Sequence, residues 1–193
     1  FGFYLKKLQG LSEYSRDLLK RLQRYHSLER RMNDFTTGNL EEMIQEVLST
    51  LNIPEIQPDL TELRVKEVRG DIPRLIWVLK ELLVNAYKFR NEDKPLKIKI
   101  SSELIKDNYY KTVKDAYRYT DFIQIRVKDN SRGFPNVEKG NYFGLLQKFH
   151  SDSGKGLGLA YCKKIVDLHD GHILLKENVE GGSQFIILLP YLP

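Results

Sequence analysis

What this chain lacks narrows its chemistry first. It has one cysteine, Cys162, in 193 residues, which rules out an internal disulfide and a cysteine-based zinc cluster and suits a reducing compartment. Cys162 falls inside a helical pattern and reads as a packing residue. No apolar run is long enough to span a bilayer, and no signal-peptide pattern opens the sequence. Phe1 is an unusual first residue, so the expectation is a cytoplasmic protein, or a cytoplasmic fragment of a larger one. Repeats and low-complexity tracts are absent. The net charge is +5, yet the lysines and arginines are scattered and no base-reading motif accompanies them. Nucleic acid is therefore not the expected partner. Nucleotide phosphates or an acidic protein would use the same charge. At 41% apolar residues, the chain can bury the core of one domain with an appendage.

From Leu11 to Phe35 the spacing alternates three and four, through Leu11, Tyr14, Leu18, Arg21, Tyr25, Leu28, Met32 and Phe35, all but Arg21 apolar. That period, about 3.5, is the period of a coiled-coil seam. Lys20, Arg24, Glu29 and Arg31 occupy the opposite face. Such a helix can pair with another chain or lie on its own domain. A two-sided seam cannot be buried by one helix, which favours pairing. Thr37-Gly38-Asn39 should end this helix, with Asn39 capping the next, Leu40 to Leu51. Pro54 and Pro58 then suggest a linker and a domain boundary. The expected divisions are a partial dimerisation helix over 1–38, a connecting helix and linker over 39–53, and a main domain over 54–193.

In that main domain, Leu63 to Val68 alternates as a strand, and Gly70-Asp71 turns the chain into a helix with Pro73 in its first turn. Along Arg74 to Phe89, Leu75, Leu79, Leu82, Ala86 and Phe89 form an apolar stripe. At about 100° per residue, Arg74, Glu81, Asn85 and Lys88 share one narrow polar face. A helix this apolar should be mostly buried, so its clustered carboxylate, amide and amine need partners. Lys97–Ser101 and Phe122–Val127 read as strands. The intervening Asp107–Asp121, with four tyrosines, reads as a long hairpin or insertion. The second strand runs into Asp129-Asn130-Ser131-Arg132-Gly133, where a carboxylate followed by a glycine can read an adenine edge. In GKGLGLAYCKKIVDLHDG, from Gly154 to Gly171, alternate glycines (Gly154, Gly156, Gly158) run straight into a helix. Close backbone approach and a helix N-terminus favour an anion there. His172–Lys176 and Gln184–Leu189 close the pattern as strands joined by Gly181-Gly182.

These stretches occur in a known order. ELLVNAYKFR resembles the N box of sensor histidine kinases, DNSRGF their first glycine box, and GKGLGLAYCKKIVDLHDGHI their second. GGSQFIILLP resembles their GTxF segment and last strand, and YFGLLQKFH the phenylalanine-box segment before the nucleotide lid. The resemblance covers about Leu40 to Pro190 and is closest to kinases attached to PAS or phytochrome-type sensors. It implies a two-layer α/β sandwich with a mixed sheet, the Bergerat fold of the GHKL superfamily, with the helices at Arg74–Phe89 and Gly156–His169 on one sheet face.

It also implies roles at matching positions. Asn85 would hold Mg²⁺ bridging the phosphates of ATP, and Lys88 would meet those phosphates. Asp129 would accept from the adenine amino group, and Gly133 would lie beneath the purine. Gly154, Gly156 and Gly158 would form the lid hinge and phosphate cradle, and Ser183 would support adenine recognition. Phe89, Asn130, Lys155, Leu157 and Leu159 flank these positions and count with the nucleotide pocket. Glu81 stands where related ATPases place a general base. Implied partners are a second copy through the first helix, a response regulator and an upstream sensor domain.

The sequence also departs from the pattern. Ser131 stands where the first glycine box has its leading glycine, and a serine admits fewer backbone conformations, so an altered purine fit is expected. The lid before Gly154 is short. No acceptor box is present; His26, in YHSLERR, has no proline near it. His169 and His172 fall at a helix-to-strand turn and read as structural. The leading interpretation is the ATP-binding catalytic domain of a sensor kinase whose acceptor histidine lies outside this chain. The others are a degenerate binding or dimerisation module, and an ATPase of the topoisomerase or mismatch-repair type.

Overall fold

The computed structural model describes residues 2–28, 32–106, 111–113, 116–118, 121–134, 141–147, 156–178 and 181–191. Among these, the helices are α1 (Gly2–Ser27), α2 (Leu40–Leu51), α3 (Ile72–Lys88) and α4 (Gly158–Leu168). The strands are β1 (Thr36–Asn39), β2 (Asp59–Leu63), β3 (Glu67–Gly70), β4 (Ile98–Ile105), β5 (Lys111–Val113), β6 (Ala116–Arg118), β7 (Phe122–Asp129), β8 (His172–Glu177) and β9 (Ser183–Pro190).

Local chemistry starts and stops these elements as the sequence leads one to expect. Asn39 Oδ1 accepts from the amides of Glu41 and Glu42, capping α2, and Asn52 in the left-handed region ends it. Asp71 caps α3 by accepting from the Arg74 amide, with Pro73 in the first turn. The apolar positions of α3, Leu75, Val78, Leu79, Leu82, Leu83 and Ala86, are all buried. They meet a mixed sheet ordered β2-β4-β7-β9-β8, in which β2 runs parallel to β4 and the other pairs are antiparallel. The inward residues of alternating strands, among them Ile100, Ile125, Val127, Phe185 and Ile187, form one core with α2, α3 and α4. Helices on one side and a mixed sheet on the other make the expected two-layer sandwich. β2 is an edge strand, and its register against β4 shifts between Asp59 and Glu62. The tyrosine-rich insertion carries the β5–β6 hairpin; Tyr109, Tyr110 and Tyr119 lie outside the described residues.

Three expectations need correcting. The first helix does not run to Phe35 but stops at Ser27. Asn33, beyond it, donates its backbone N–H to Asp71 Oδ2 and its side-chain amide to Asp71 Oδ1, both at 2.9 Å. Arg74 Nη1 takes the Leu28 carbonyl at 2.8 Å, satisfying one of the helix-end acceptors. Phe35 keeps the seam spacing for another reason: it stacks on the His169 ring, with centroids 4.9 Å apart. Secondly, the stretch read as one strand over Leu63–Val68 is split. β2 joins the main sheet, whereas β3 pairs antiparallel with β1 in a separate two-stranded sheet. Ser102 makes the break, its hydroxyl donating to the Val65 carbonyl and accepting from the Val65 amide at the same oxygen.

The third concerns the boundary near Pro54. Leu40, Met43, Ile44 and Val47 of α2 are buried in the same core as α3, so the prolines do not divide the packing. Thr36 already pairs with Gly70, well before the prolines.

The two readings of the first helix bear on different parts of α1. Leu8, Leu11 and Leu19 stay exposed. Its last turn lies on its own domain: Tyr25 meets Tyr161 edge-on at 5.5 Å, and Tyr161 lies 5.3 Å from Trp77 of α3.

His169 is structural, as its position suggested. Its Nε2 accepts the Asp71 amide at 2.9 Å, so Nδ1 carries the proton and donates to the Ile165 carbonyl at 2.7 Å. Gly70 leaves room for the ring, since a Cβ there would fall 2.6 Å from it. Burial pushes the imidazole pKa below its ordinary 6.5, because a charged ring could not accept the Asp71 amide. The unfolded chain therefore binds the proton first as pH falls. Stability should be full above the unfolded pKa and decline as pH drops towards the depressed folded one. Urea unfolding between about pH 7.5 and 5.5 should show this slope in the wild type and a flatter one in His169→Gln.

Candidate nucleotide site

Strand β7 carries the first part of the site. Its last residue, Asp129, is buried, and a buried carboxylate requires donors. Oδ1 accepts the amides of Ser131 at 2.9 Å and Ser183 at 3.2 Å. Burial nevertheless raises the carboxyl pKa, with those two residues' hydrogen bonds pulling the other way. Two glycines make this geometry feasible. Gly133 has φ +70° and Gly182 φ +94°, and a Cβ on Gly182 would lie 2.2 Å from the Asp129 carbonyl oxygen. The turn after β8 is thus pressed onto the Asp129 main chain, and Asn178 Nδ2 fastens it there with a 3.0 Å bond to the Asp129 carbonyl.

Helix α3 supplies the second part. Its end is tied to the turn after β7, because the Phe89 carbonyl accepts the Arg132 amide at 2.9 Å. Glu81 and Asn85 are half-buried on its polar face, and Lys88 is exposed with Nζ 5.2 Å from the Phe89 ring centroid. Among the described residues no hydrogen bond engages the Asn85 side chain, leaving its carbonyl oxygen for a hard cation such as Mg²⁺. The glycine helix arrives against this face. Gly158 opens α4, whose N-cap, Leu157, offers no side-chain bond. A Cβ on Gly158 would fall 2.5 Å from Glu81 Oε2. Gly156, at φ +66°, lies so close to the Gln147 carbonyl that any side chain there would collide with it. The anion-favouring helix end, the carboxylate and the amide therefore adjoin one another. Phe134 completes a wall, edge-on to Tyr142 at 5.3 Å and to Phe185 at 5.9 Å.

Residues 70–193 match the family described as histidine kinase-, DNA gyrase B- and HSP90-like ATPase. The catalytic domain of the histidine kinase ThkA superimposes with a TM-score of 0.61 at 30% identity, covering 83% of this chain and 100% of that domain. The chain belongs to this family, as a histidine kinase catalytic domain. It is 27% identical over 161 residues to cyanobacterial phytochrome A of Nostoc sp. strain PCC 7120, covering 81% of this chain and 19% of that protein. It is 28% identical over 171 residues to the phytochrome-like protein Cph1 of a Synechocystis strain, covering 86% of this chain and 21% of the relative. It thus spans about a fifth of the length of these relatives. The mycobacterial sensor histidine kinase MprB shares the fold, with a TM-score of 0.63 at 21% identity.

Within this kinase domain, the structure brings Asp129, Gly133 and Ser183 together, and separately Glu81 and the glycine helix from Gly156 through Leu157, Gly158 and Leu159. Gly154 and Lys155 lie outside the described residues. Asn130 turns elsewhere: its Oδ1 accepts the Lys97 amide at 2.8 Å and its Nδ2 donates to the Pro95 carbonyl at 2.9 Å. Both ends of that amide hold the approach to β4, so Asn130 braces the turn.

The expectation about Ser131 also changes. Its φ is not positive, so the backbone at this position makes no demand for glycine. Sequence reading passed over Asn178 and Phe134. For Asn178 the only trace was Gly181-Gly182, a doublet that a plain hairpin explains equally well, and Phe134 stood in DNSRGF with no role assigned. Cys162 is fully buried, and burial raises its thiol pKa well above the ordinary value, in keeping with a packing role.

The crowding at Gly182 gives a graded test. Gly181 has nothing within 4 Å of an added Cβ, whereas Gly182 meets the Asp129 carbonyl. Gly181→Ala should cost about 1–2 kcal/mol for its left-handed backbone. Gly182→Ala should cost visibly more and weaken nucleotide binding as well, measured by denaturant midpoint and calorimetric titration.

Proposed function

We propose that this chain binds ATP with Mg²⁺ and serves as the catalytic domain of a two-component sensor kinase, delivering the γ-phosphoryl group to a histidine outside this chain. The observation that carries the reading is Asp129, a buried carboxylate whose Oδ1 is held by two amides. Oδ2, which neither amide uses, is the atom to accept the adenine amino group. Gly133 and Gly182 let the two turns beside Asp129 pack against each other and so hold that carboxylate in place. Asn85 would present its carbonyl oxygen to Mg²⁺, with Lys88 beside it for the phosphates. The N-terminus of α4 would take negative charge through its free N–H groups. Bound Mg·ATP supplies the transferable phosphoryl group; the residues of this chain position it and neutralise charge, which is most of what phosphoryl transfer asks of a protein. Glu81, against Gly158, is placed to orient or accept a proton near that end. The ordinary backbone of Ser131 supports an intact site over a degenerate one.

Calorimetric titration of Asp129→Asn tests the base contact. Asparagine keeps an oxygen for both amides but places an N–H₂ where adenine also donates. ATP affinity should fall more than tenfold, about 1.5–3 kcal/mol, while the fold survives. Equal affinity in both proteins, or no binding by the wild type at millimolar nucleotide, would count against the pocket.

In-line transfer needs an imidazole presented to the γ-phosphate. His26 is exposed on α1 while its neighbour Tyr25 packs on α4. We expect the chain to self-associate through the exposed leucines of α1 yet not label itself from γ-labelled ATP. Labelling should appear when a segment carrying an acceptor histidine is supplied. Acid-labile phosphate on the isolated chain, lost in His26→Gln, would make His26 the acceptor.

A further inference from the structure

The main sheet has two outer strands, and they end it differently. β2 shifts its register against β4 between Asp59 and Glu62. β8 does not: His172 through Glu177 pair one for one with Leu188 through Ser183 of β9. β9 is its one neighbour in the sheet. Every second residue of such a strand turns its N–H and C=O away from the partner. Among the described residues nothing takes those groups on β8. A regular edge left open in this way is a template for a further strand.

The register shows what lies beside that edge. Ile100, Val127, Phe185 and Ile173 point into the core, so their sequence neighbours point to the sheet face away from the helices. On that face Lys99, Lys128, Gln184 and Lys176 form one row across four strands. Lys99 is held by Glu62 at 2.7 Å. Lys128 and Lys176 have no acidic partner among the described residues. In the next row, Leu174 is 46% exposed opposite the buried Ile186. The edge strand therefore presents, two residues apart on one face, a lysine without a counter-charge and a bare leucine. A second copy of β8 answers this poorly. Pairing two such edges about Leu174, the register that covers both leucines, sets Lys176 opposite His172 at each end and brings no carboxylate to either lysine.

We propose that the β8 edge is a docking site for an extended segment of another protein, which adds to the five-stranded sheet with a carboxylate opposite Lys176 and an apolar side chain opposite Leu174. Main-chain hydrogen bonds supply the affinity, and the two side chains choose the partner. The inference stands apart from the nucleotide reading, since neither Lys176 nor Leu174 belongs to that site.

The test uses the whole chain and short peptides of alternating Thr and Val, in which one face carries Glu and Leu two positions apart. A second peptide has Lys in place of that Glu, and a third keeps Glu but is N-methylated throughout, so it cannot donate main-chain hydrogen bonds. Binding is read by amide chemical shifts and hydrogen exchange. The Glu peptide should slow exchange at every second amide of β8 and leave β2 unchanged. It should bind about two- to fivefold more tightly than the Lys peptide, the worth of one cross-strand charge pair. Lys176→Glu, at an exposed position, should reverse that order. The N-methylated peptide should not bind. Binding of the N-methylated peptide as tight as that of its parent, an order that Lys176→Glu leaves unchanged, or no binding of the Glu peptide at millimolar concentration would each overturn the proposal. Protection of the β8 amides that grows with the concentration of the chain alone would make a second copy the occupant and overturn it too.

Discussion

The arrangement of this domain hangs on Asp71, a carboxylate with no solvent exposure. A buried charge persists only where donors surround it. Asp71 has the Asn33 backbone and side chain, the Arg74 amide and the Arg74 guanidinium at 3.1 Å. Its own amide is taken by His169. Through one residue, the segment after α1, the start of α3 and the end of α4 are fixed to each other. α3 and α4 are also the helices whose other ends or faces would form the phosphate side of the proposed pocket. Arg74 extends the arrangement to the carbonyl of Leu28. Any rotation of α1 relative to the domain must break these bonds or carry α3 with it.

The base side of the pocket is organised by a different constraint, the end of strand β7. A central strand paired along its length with β4 and β9 cannot shift without disturbing the whole sheet. Asp129 inherits that rigidity as its last residue. The carboxylate therefore stands at the end of a strand paired on both sides, while the helix that would meet the phosphates stands beside a glycine-rich approach. The division suits a site that must hold a base fixed and let the phosphate end accommodate transfer.

Much of this was legible in the sequence, for reasons that can be named. The apolar stripe of α3, the caps Asn39 and Asp71, and the glycine run into α4 are local patterns whose physics is complete within a few residues. What escaped notice depended on distant partners. The seam spacing runs through Phe35, yet the helix ends at Ser27, and Asp71 and His169, far along the chain, claim Asn33 and Phe35. The single alternating stretch over 63–68 became two strands because Ser102 of another strand holds Val65 out of register. Asn130 was grouped with the pocket because it follows Asp129, and only the position of Pro95 and Lys97 shows which way its amide faces. Ser131 looked like a defect because the expected glycine suggested a backbone demand that the turn does not make.

The edges of the main sheet carry a consequence for solubility. An unpaired strand edge invites another chain to add to it, and proteins discourage this with bulges and charge. β2, at one edge, breaks its own register and bears Asp59, bonded back to the Thr61 amide, and Glu62, paired with Lys99. Its backbone is thus a poor template for a further strand, and growth of the sheet at the β2 edge is discouraged by the strand's own irregularity and charge.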